Sequence, residues 1–72
     1  MAELKFLKKE LGKRAGPMAK IVVKKEAKSM NLNGGVISKN QMSKLIERSV
    51  KKAVADQSKH SRVIEELESE LI

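Results

Sequence analysis

The sequence lacks cysteine, tryptophan and tyrosine, and it has a single phenylalanine and a single histidine. Without cysteine, the chain has no disulfide, no thiolate ligand for zinc and no thiol nucleophile. One aromatic residue, Phe6, which we expect in the core, leaves no platform on which the bases of a single-stranded nucleic acid could stack. His60 alone is a poor basis for a metal site. We therefore predict no metal and no cofactor.

Long apolar runs are absent as well. No segment approaches the roughly 20 apolar residues of a membrane-spanning helix. The first residues interleave Lys5, Lys8 and Lys9 with apolar side chains, unlike the continuous apolar segment of a signal peptide. We expect a cytoplasmic protein that does not bind membranes, and the 72 residues predict a single domain, residues 1–72.

Lysine is present in excess, and the charge is unevenly distributed. The formal net charge is +7, with 14 Lys and Arg against 4 acidic residues in residues 1–55, and 2 against 5 in residues 56–72. The basic part and the acidic part complement each other electrostatically. This complementarity favours self-association as one mode of interaction.

Apolar residues at helical spacing predict two helices in the first half of the chain. Over residues 2–14, Leu4, Leu7 and Leu11 fall at i, i+3 and i+7. A second helix is predicted from Pro17 to about Met30. Its apolar face holds Ala19, Val22, Val23, Ala27 and Met30, widened by Met18 and Ile21. Residues 20–24, KIVVK, also have strand propensity, so a strand remains the alternative there.

The second half of the chain predicts two more helices. Ser38 and Gln41 form an S-x-x-Q capping box, with Ile37 and Met42 placed as a hydrophobic staple. An unbroken helical pattern follows: Met42, Leu45, Ile46, Ser49, Val50, Ala53 and Val54. A last helix, capped by Asp56 or Ser58, carries Val63, Ile64, Leu67 and Leu71. We predict an all-α fold, a compact bundle of about four short amphipathic helices.

The methionines of this pattern have two interpretations. Met18, Met30 and Met42 lie on apolar faces and are expected to fill the core. The alternative is a methionine-lined groove that accepts a partner helix.

Gly16-Pro17 lies between the first two predicted helices. "GKRAGPM" lacks the Lys-Ser/Thr ending of a phosphate-binding P-loop, and no strand precedes it. Glycine can adopt the left-handed conformation that ends a helix, and proline suits the first turn of the next. We predict a joint between helices here and a second hinge at residues 33–35, Asn-Gly-Gly. An anion site at the joint, helped by Lys13 and Arg14, is the alternative.

Asp56, Ser58 and His60 contain the residue types of a catalytic triad. Residues this close at a helix start are neighbours without any catalytic arrangement, whereas a triad needs a buried, oriented geometry. We interpret them as capping and surface residues. The chain is predicted not to be an enzyme and to have no small-molecule substrate.

Basic residues recur along the second and third helices. Lys20, Lys24 and Lys28 are spaced at i+4, and Lys44, Arg48 and Lys51 nearly so. With Lys13 and Arg14, these side chains could contact the phosphates of a nucleic acid. The other interpretation is a solvated lysine surface that keeps a small protein soluble.

The stretch "GPMAKIVVKKEA" resembles a known helical module. Gly16, Pro17, Met18, Ala19, Ile21, Val23 and Ala27, then Leu45 and a late Asp and Leu spaced as Asp56 and Leu67, resemble a small domain at the ends of bacterial signalling proteins. In those proteins it follows kinase or response-regulator domains, and its hallmark is a Gly-Pro-apolar-Ala helix start. The resemblance covers residues 8–71 and implies a helical interaction unit.

Together these patterns predict a non-enzymatic helical protein-interaction or signalling-adaptor module. Its expected partner is a protein, a second copy of the chain included. The alternative function is that of a small basic protein that binds DNA or RNA through the lysines of the second and third helices.

Overall fold

Four α-helices account for most of the fold. The computed structural model describes residues 2–32 and 36–71, which contain α1 (Leu4–Ala15), α2 (Met18–Ser29), α3 (Lys39–Ala53) and α4 (His60–Leu71). The all-α prediction is confirmed. Residues 20–24 lie within α2, so the alternative of a strand there is wrong.

The helices pack in a closed cycle around one core. Helix α1 contacts both α2 and α4, and α3 contacts the same two helices. Their apolar faces form a single buried cluster: Leu7, Leu11, Ala19, Val23, Ala27, Ile37, Met42, Leu45, Ile46, Val50, Val63 and Leu67. Ser49 is buried as well, and its hydroxyl finds no hydrogen-bond partner among the described residues.

The capping box predicted at the start of α3 is present. The Gln41 backbone N–H donates to Ser38 Oγ at 3.3 Å, and the Ser38 backbone N–H donates to Gln41 Oε1 at 3.4 Å. Each bond satisfies an amide that the first turn of a helix leaves without a partner. Ile37 and Met42, the two staple positions, are both buried in the core.

Helix α2 ends in a Schellman motif. Asn31 adopts a positive φ of 59°, and the Leu32 backbone N–H donates to the Ala27 carbonyl oxygen at 2.9 Å. Asparagine tolerates this left-handed conformation better than most residues. The hinge predicted at residues 33–35 lies outside the described residues.

A two-residue antiparallel pairing joins β1 (Ala2–Glu3) to β2 (Val36–Ile37), with Ala2 opposite Ile37. The sequence did not predict it. Two residues are too few to establish the apolar–polar alternation that identifies a strand.

The prediction that Phe6 lies in the core is wrong. Its side chain is exposed, and the Lys5 ammonium nitrogen lies 5.5 Å from the centre of its ring. One helical position separates Phe6 from the buried Leu7, which rotates Phe6 away from the core by about 100°.

Candidate interaction surface

The chain turns sharply between α1 and α2. Gly16 has φ +82° and donates its backbone N–H to the Gly12 carbonyl oxygen at 2.9 Å, which ends α1. Pro17 follows with φ −60°, already helical, and α2 begins at the next residue. Because only glycine adopts such a positive φ without strain, Gly16 is required by the turn. The predicted joint between helices is confirmed.

Directly after this turn, α2 presents apolar side chains to solvent. Met18 is 60% exposed and Ile21 is 49% exposed, while Val22 beside them is half-buried. The prediction that Met18 and Ile21 belong to the core is wrong, because Ala19, Val23 and Ala27 occupy the core-facing positions of α2. Met30 and Met42 do contribute to the core. We call Met18, Ile21 and Val22 the apolar strip.

Three lysines lie along one side of the apolar strip. Lys20, Lys24 and Lys28 follow one another at i+4 on α2, and all three are exposed. None of them forms an ion pair within residues 2–32 and 36–71. Their charges therefore remain available to an acidic partner or to phosphate.

On the other side of the strip, α2 is linked to α3 through a buried carboxylate. The Glu26 side chain is only 5% exposed, and its Oε2 accepts a 2.6 Å hydrogen bond from Lys52 Nζ. Arg48 Nε lies 2.9 Å from Glu26 Oε1 as an ion pair without hydrogen-bond geometry. The Lys52 hydrogen bond and the charges of Lys52 and Arg48 hold the pKa of Glu26 below its ordinary value, although burial acts to raise it.

A second ionic network joins α1 to α4. The Arg14 guanidinium donates to Glu66 Oε1 at 3.1 Å, to Glu70 Oε1 at 3.0 Å and to the Glu10 carbonyl oxygen at 2.9 Å. Burial acts to lower the pKa of Arg14, but its bonds to Glu66 and Glu70 raise it above the usual value. The acidic last helix thus docks against the basic part of the same chain.

The pKa of Glu10, in the same network, is also lowered. The main cause is the neighbouring Glu70 carboxyl, with which the Glu10 carboxyl titrates as a pair, followed by the 3.3 Å hydrogen bond that Lys13 donates to Glu10 Oε2. Glu68, further along α4, accepts a 2.7 Å hydrogen bond from the Ser43 hydroxyl. Three of the four glutamates of α4 therefore have partners within the fold.

The predicted phosphate-contacting residues separate into two groups. Four of them have carboxylate partners. Lys13 pairs with Glu10, and Arg14 pairs with Glu10, Glu66 and Glu70. Arg48 pairs with Glu26, and Lys51 pairs with Glu47. Those without an ion pair in the described chain are Lys20, Lys24, Lys28 and Lys44. Both arginines of the predicted set are thus engaged by acidic side chains.

The Asp56–His60 segment has a capping arrangement. Asp56 Oδ1 accepts from the Ser58 backbone N–H at 3.0 Å and from the Ser58 hydroxyl at 2.6 Å, which caps the 3₁₀ turn Gln57–Lys59. These Ser58 bonds lower the pKa of Asp56. His60 Nε2 donates instead to the Val54 carbonyl oxygen at 2.5 Å. The Ser58 hydroxyl therefore donates to the Asp56 carboxylate, and the His60 imidazole forms a hydrogen bond with neither residue, unlike the arrangement of a catalytic triad.

Metal-binding clusters and membrane-spanning helices are both absent from the part of the chain that the structure describes. No group of three or more His, Cys, Asp or Glu side chains is placed to hold a metal ion there. None of the described helices has the length and apolar character needed to cross a membrane.

Glu26 is the residue of this region that the sequence interpretation missed. It follows Ala19 by seven positions and Val23 by three, so helical spacing alone places it on the buried face of α2. A charged residue at such a position requires cations nearby. Arg48 and Lys52 are on another helix, and the spacing within α2 does not identify them.

Comparison with known proteins gives a family but no characterised relative. No curated protein and no solved structure matches the chain. A family model described as a domain of unknown function, DUF8082, matches residues 2–72. This match includes the turn at Gly16, the apolar strip and both ionic networks, and the chain therefore belongs to the DUF8082 family.

Proposed function

We propose that this domain is a non-enzymatic protein-interaction module that serves as an adaptor in signalling. The observation that supports it best is the exposure of Met18 and Ile21 next to each other on α2. A domain of this size has few large apolar side chains with which to stabilise its core. Two that remain largely in solvent contribute little burial energy to folding, and contact with a partner would bury their apolar surface.

The Gly-Pro-apolar-Ala resemblance supports the signalling context. In this chain, Gly16 and Pro17 form the turn, Ala19 packs in the core and Met18 points to solvent. The sequence hallmark therefore sets the position of the apolar strip. An adaptor needs a fixed surface of this kind, presented by a rigid core.

Site-specific photo-crosslinking in cells of the source organism tests the proposal. The photoreactive residue p-benzoylphenylalanine replaces Ile21 in one variant and Lys44, an exposed residue of α3, in the matched control. We expect a discrete cross-linked protein from position 21 and none from position 44. Absence of a product at position 21, or the same products at both positions, contradicts the proposal.

Phosphate binding by a lysine surface is the second candidate function. It is favoured by Lys20, Lys24 and Lys28, which are exposed and form no ion pair within the described residues. Lysine contacts with phosphates release counterions, so the affinity for nucleic acid falls steeply with salt. Fluorescence anisotropy with duplex DNA at two salt concentrations tests this candidate. No binding at the lower concentration eliminates it.

A further inference from the structure

We infer that the apolar strip binds an amphipathic helix of a different protein, one whose apolar face is bordered by acidic residues. The inference rests on the proposed function and adds to it the binding site and the chemistry of the partner. It is carried by the placement of charges on both sides of Met18, Ile21 and Val22.

The strip offers one turn of apolar surface to a helix. Met18, Ile21 and Val22 fall at i, i+3 and i+4, so they share one face of α2, and the exposed Lys25 follows them at i+7. At 1.5 Å per residue, the apolar part of this face extends about 6 Å, slightly more than one helical turn. A partner helix can place apolar residues spaced at i and i+3 or i+4 against it.

Positive charge borders the strip on both sides. Around α2, Lys20, Lys24 and Lys28 occupy one side of the strip and Glu26 the other, while Ser29, seven positions after Val22, lies further along the face of the strip itself. The second side is also basic, because Arg48 and Lys52 reach over to it: both pair with Glu26, and Arg48 Nη2 lies 3.5 Å from the Ser29 hydroxyl. Two cations against one carboxylate leave a net positive charge there.

This pattern selects the partner. Apolar residues in the middle of the site need an apolar complement, which a phosphate backbone does not supply. Cations on both borders attract a helix with carboxylates on both sides of its apolar face, and they repel a basic one.

A second copy of this chain is a poorer fit. The acidic helix of the chain is α4, and Glu66 and Glu70 already bind Arg14, while Glu68 accepts from Ser43. Using these carboxylates between copies would break bonds within each copy. The partner is therefore expected to be another protein.

Nuclear magnetic resonance titration of the 72-residue chain with two designed peptides tests the inference. Both peptides carry leucine at i, i+3, i+4 and i+7. The first has glutamate at the remaining positions, and the control has lysine there. We expect the glutamate peptide to produce saturable shifts of the backbone amides of residues 17–25. The lysine peptide should bind at least about tenfold more weakly.

One substitution tests the apolar part of the site, and a matched pair of substitutions tests its charged border. Ile21→Gln removes apolar surface without changing the charge and should weaken binding of the glutamate peptide by about tenfold. Lys24→Gln and its matched control Lys59→Gln remove the same charge from exposed positions. The first should weaken binding several-fold, about threefold or more, and the second should leave it nearly unchanged.

Four results would overturn the inference. They are no binding of the glutamate peptide, equal binding of the lysine peptide, concentration-dependent shifts of residues 17–25 without any peptide, and equal perturbation of those amides by duplex DNA or anionic lipid vesicles. Cross-linking from position 21 distinguishes a failure of the proposed function from a failure of the inference about the partner helix. If a protein cross-links there while the glutamate peptide does not bind, the proposed function stands and the acidic partner helix is wrong.

Discussion

Removing the cations around Glu26 should cost more stability than removing Glu26 itself. The Glu26 side chain is 5% exposed, whereas those of Arg48 and Lys52 are 47% and 63% exposed. Replacing both cations, Arg48→Met with Lys52→Met, strands a buried carboxylate, which costs about 3–5 kcal/mol. Glu26→Gln leaves two cations that water can solvate, so it costs about 1–2 kcal/mol.

Urea unfolding followed by circular dichroism measures these free energies of unfolding. Adding Glu26→Gln to the variant that lacks both cations should restore about 2 kcal/mol, because it removes the stranded charge. If the variant with both changes does not fold, the single change Lys52→Met replaces it in this measurement, since Arg48 still faces the carboxylate there. If Glu26→Gln restores nothing, the carboxylate is not desolvated and the reasoning is refuted.

The same carboxylate predicts a dependence on pH with a definite sign. Because the pKa of Glu26 is lower in the folded chain than in the unfolded chain, its ion pairs stabilise the fold above the unfolded pKa. That contribution is lost as the pH falls through the folded pKa, which lies below the ordinary value for a glutamate. Wild type and Glu26→Gln should therefore converge in stability on acidification, and a constant difference from neutral to acid pH would contradict this.

Substitutions at three further places in the fold, the α1–α2 turn, the Arg14 network and Ser49, are tested by the same unfolding measurement. Gly12→Ala should stabilise by up to about 1 kcal/mol, since a Cβ there meets nothing within 4 Å, whereas Gly16→Ala should destabilise by about 1 kcal/mol at φ +82°. If both substitutions lower the free energy of unfolding, the assigned turn is contradicted. Arg14→Met should destabilise by about 1 kcal/mol, and Glu70→Gln added to it should restore part of this by relieving carboxylate repulsion. Ser49→Ala should be neutral or stabilising by about 1 kcal/mol, because the buried hydroxyl lacks a partner in the described chain, and a clear loss would reveal one.

Local sequence signals predicted the helices and their ends well. The Ser38–Gln41 capping box and the glycine at position 16 act through bonds between residues no more than four positions apart, so their chemistry is visible in the sequence. Asp56, expected as a cap of the last helix, instead caps the 3₁₀ turn Gln57–Lys59 that precedes α4, through the Ser58 amide two residues on.

The candidate site was less predictable, because it depends on contacts between helices. Helical spacing does not decide how wide a face α2 buries, and for that reason Met18 and Ile21 were assigned to the core. Likewise, a charge pattern along one helix does not reveal that Arg14 binds α4 or that Arg48 binds α2. Those pairings follow from packing, which a single sequence does not specify.

The Arg14 network also bears on the order of folding. Its bonds to Glu66 and Glu70 span 52 and 56 positions of the chain, so they close a far larger loop than the contacts between successive helices. Large loops lose more chain entropy on closure, and we expect α1 and α4 to meet only after the rate-limiting barrier. Arg14→Met should then accelerate unfolding while leaving the refolding rate nearly unchanged. The lifetime of the folded domain, more than its speed of formation, depends on this one arginine.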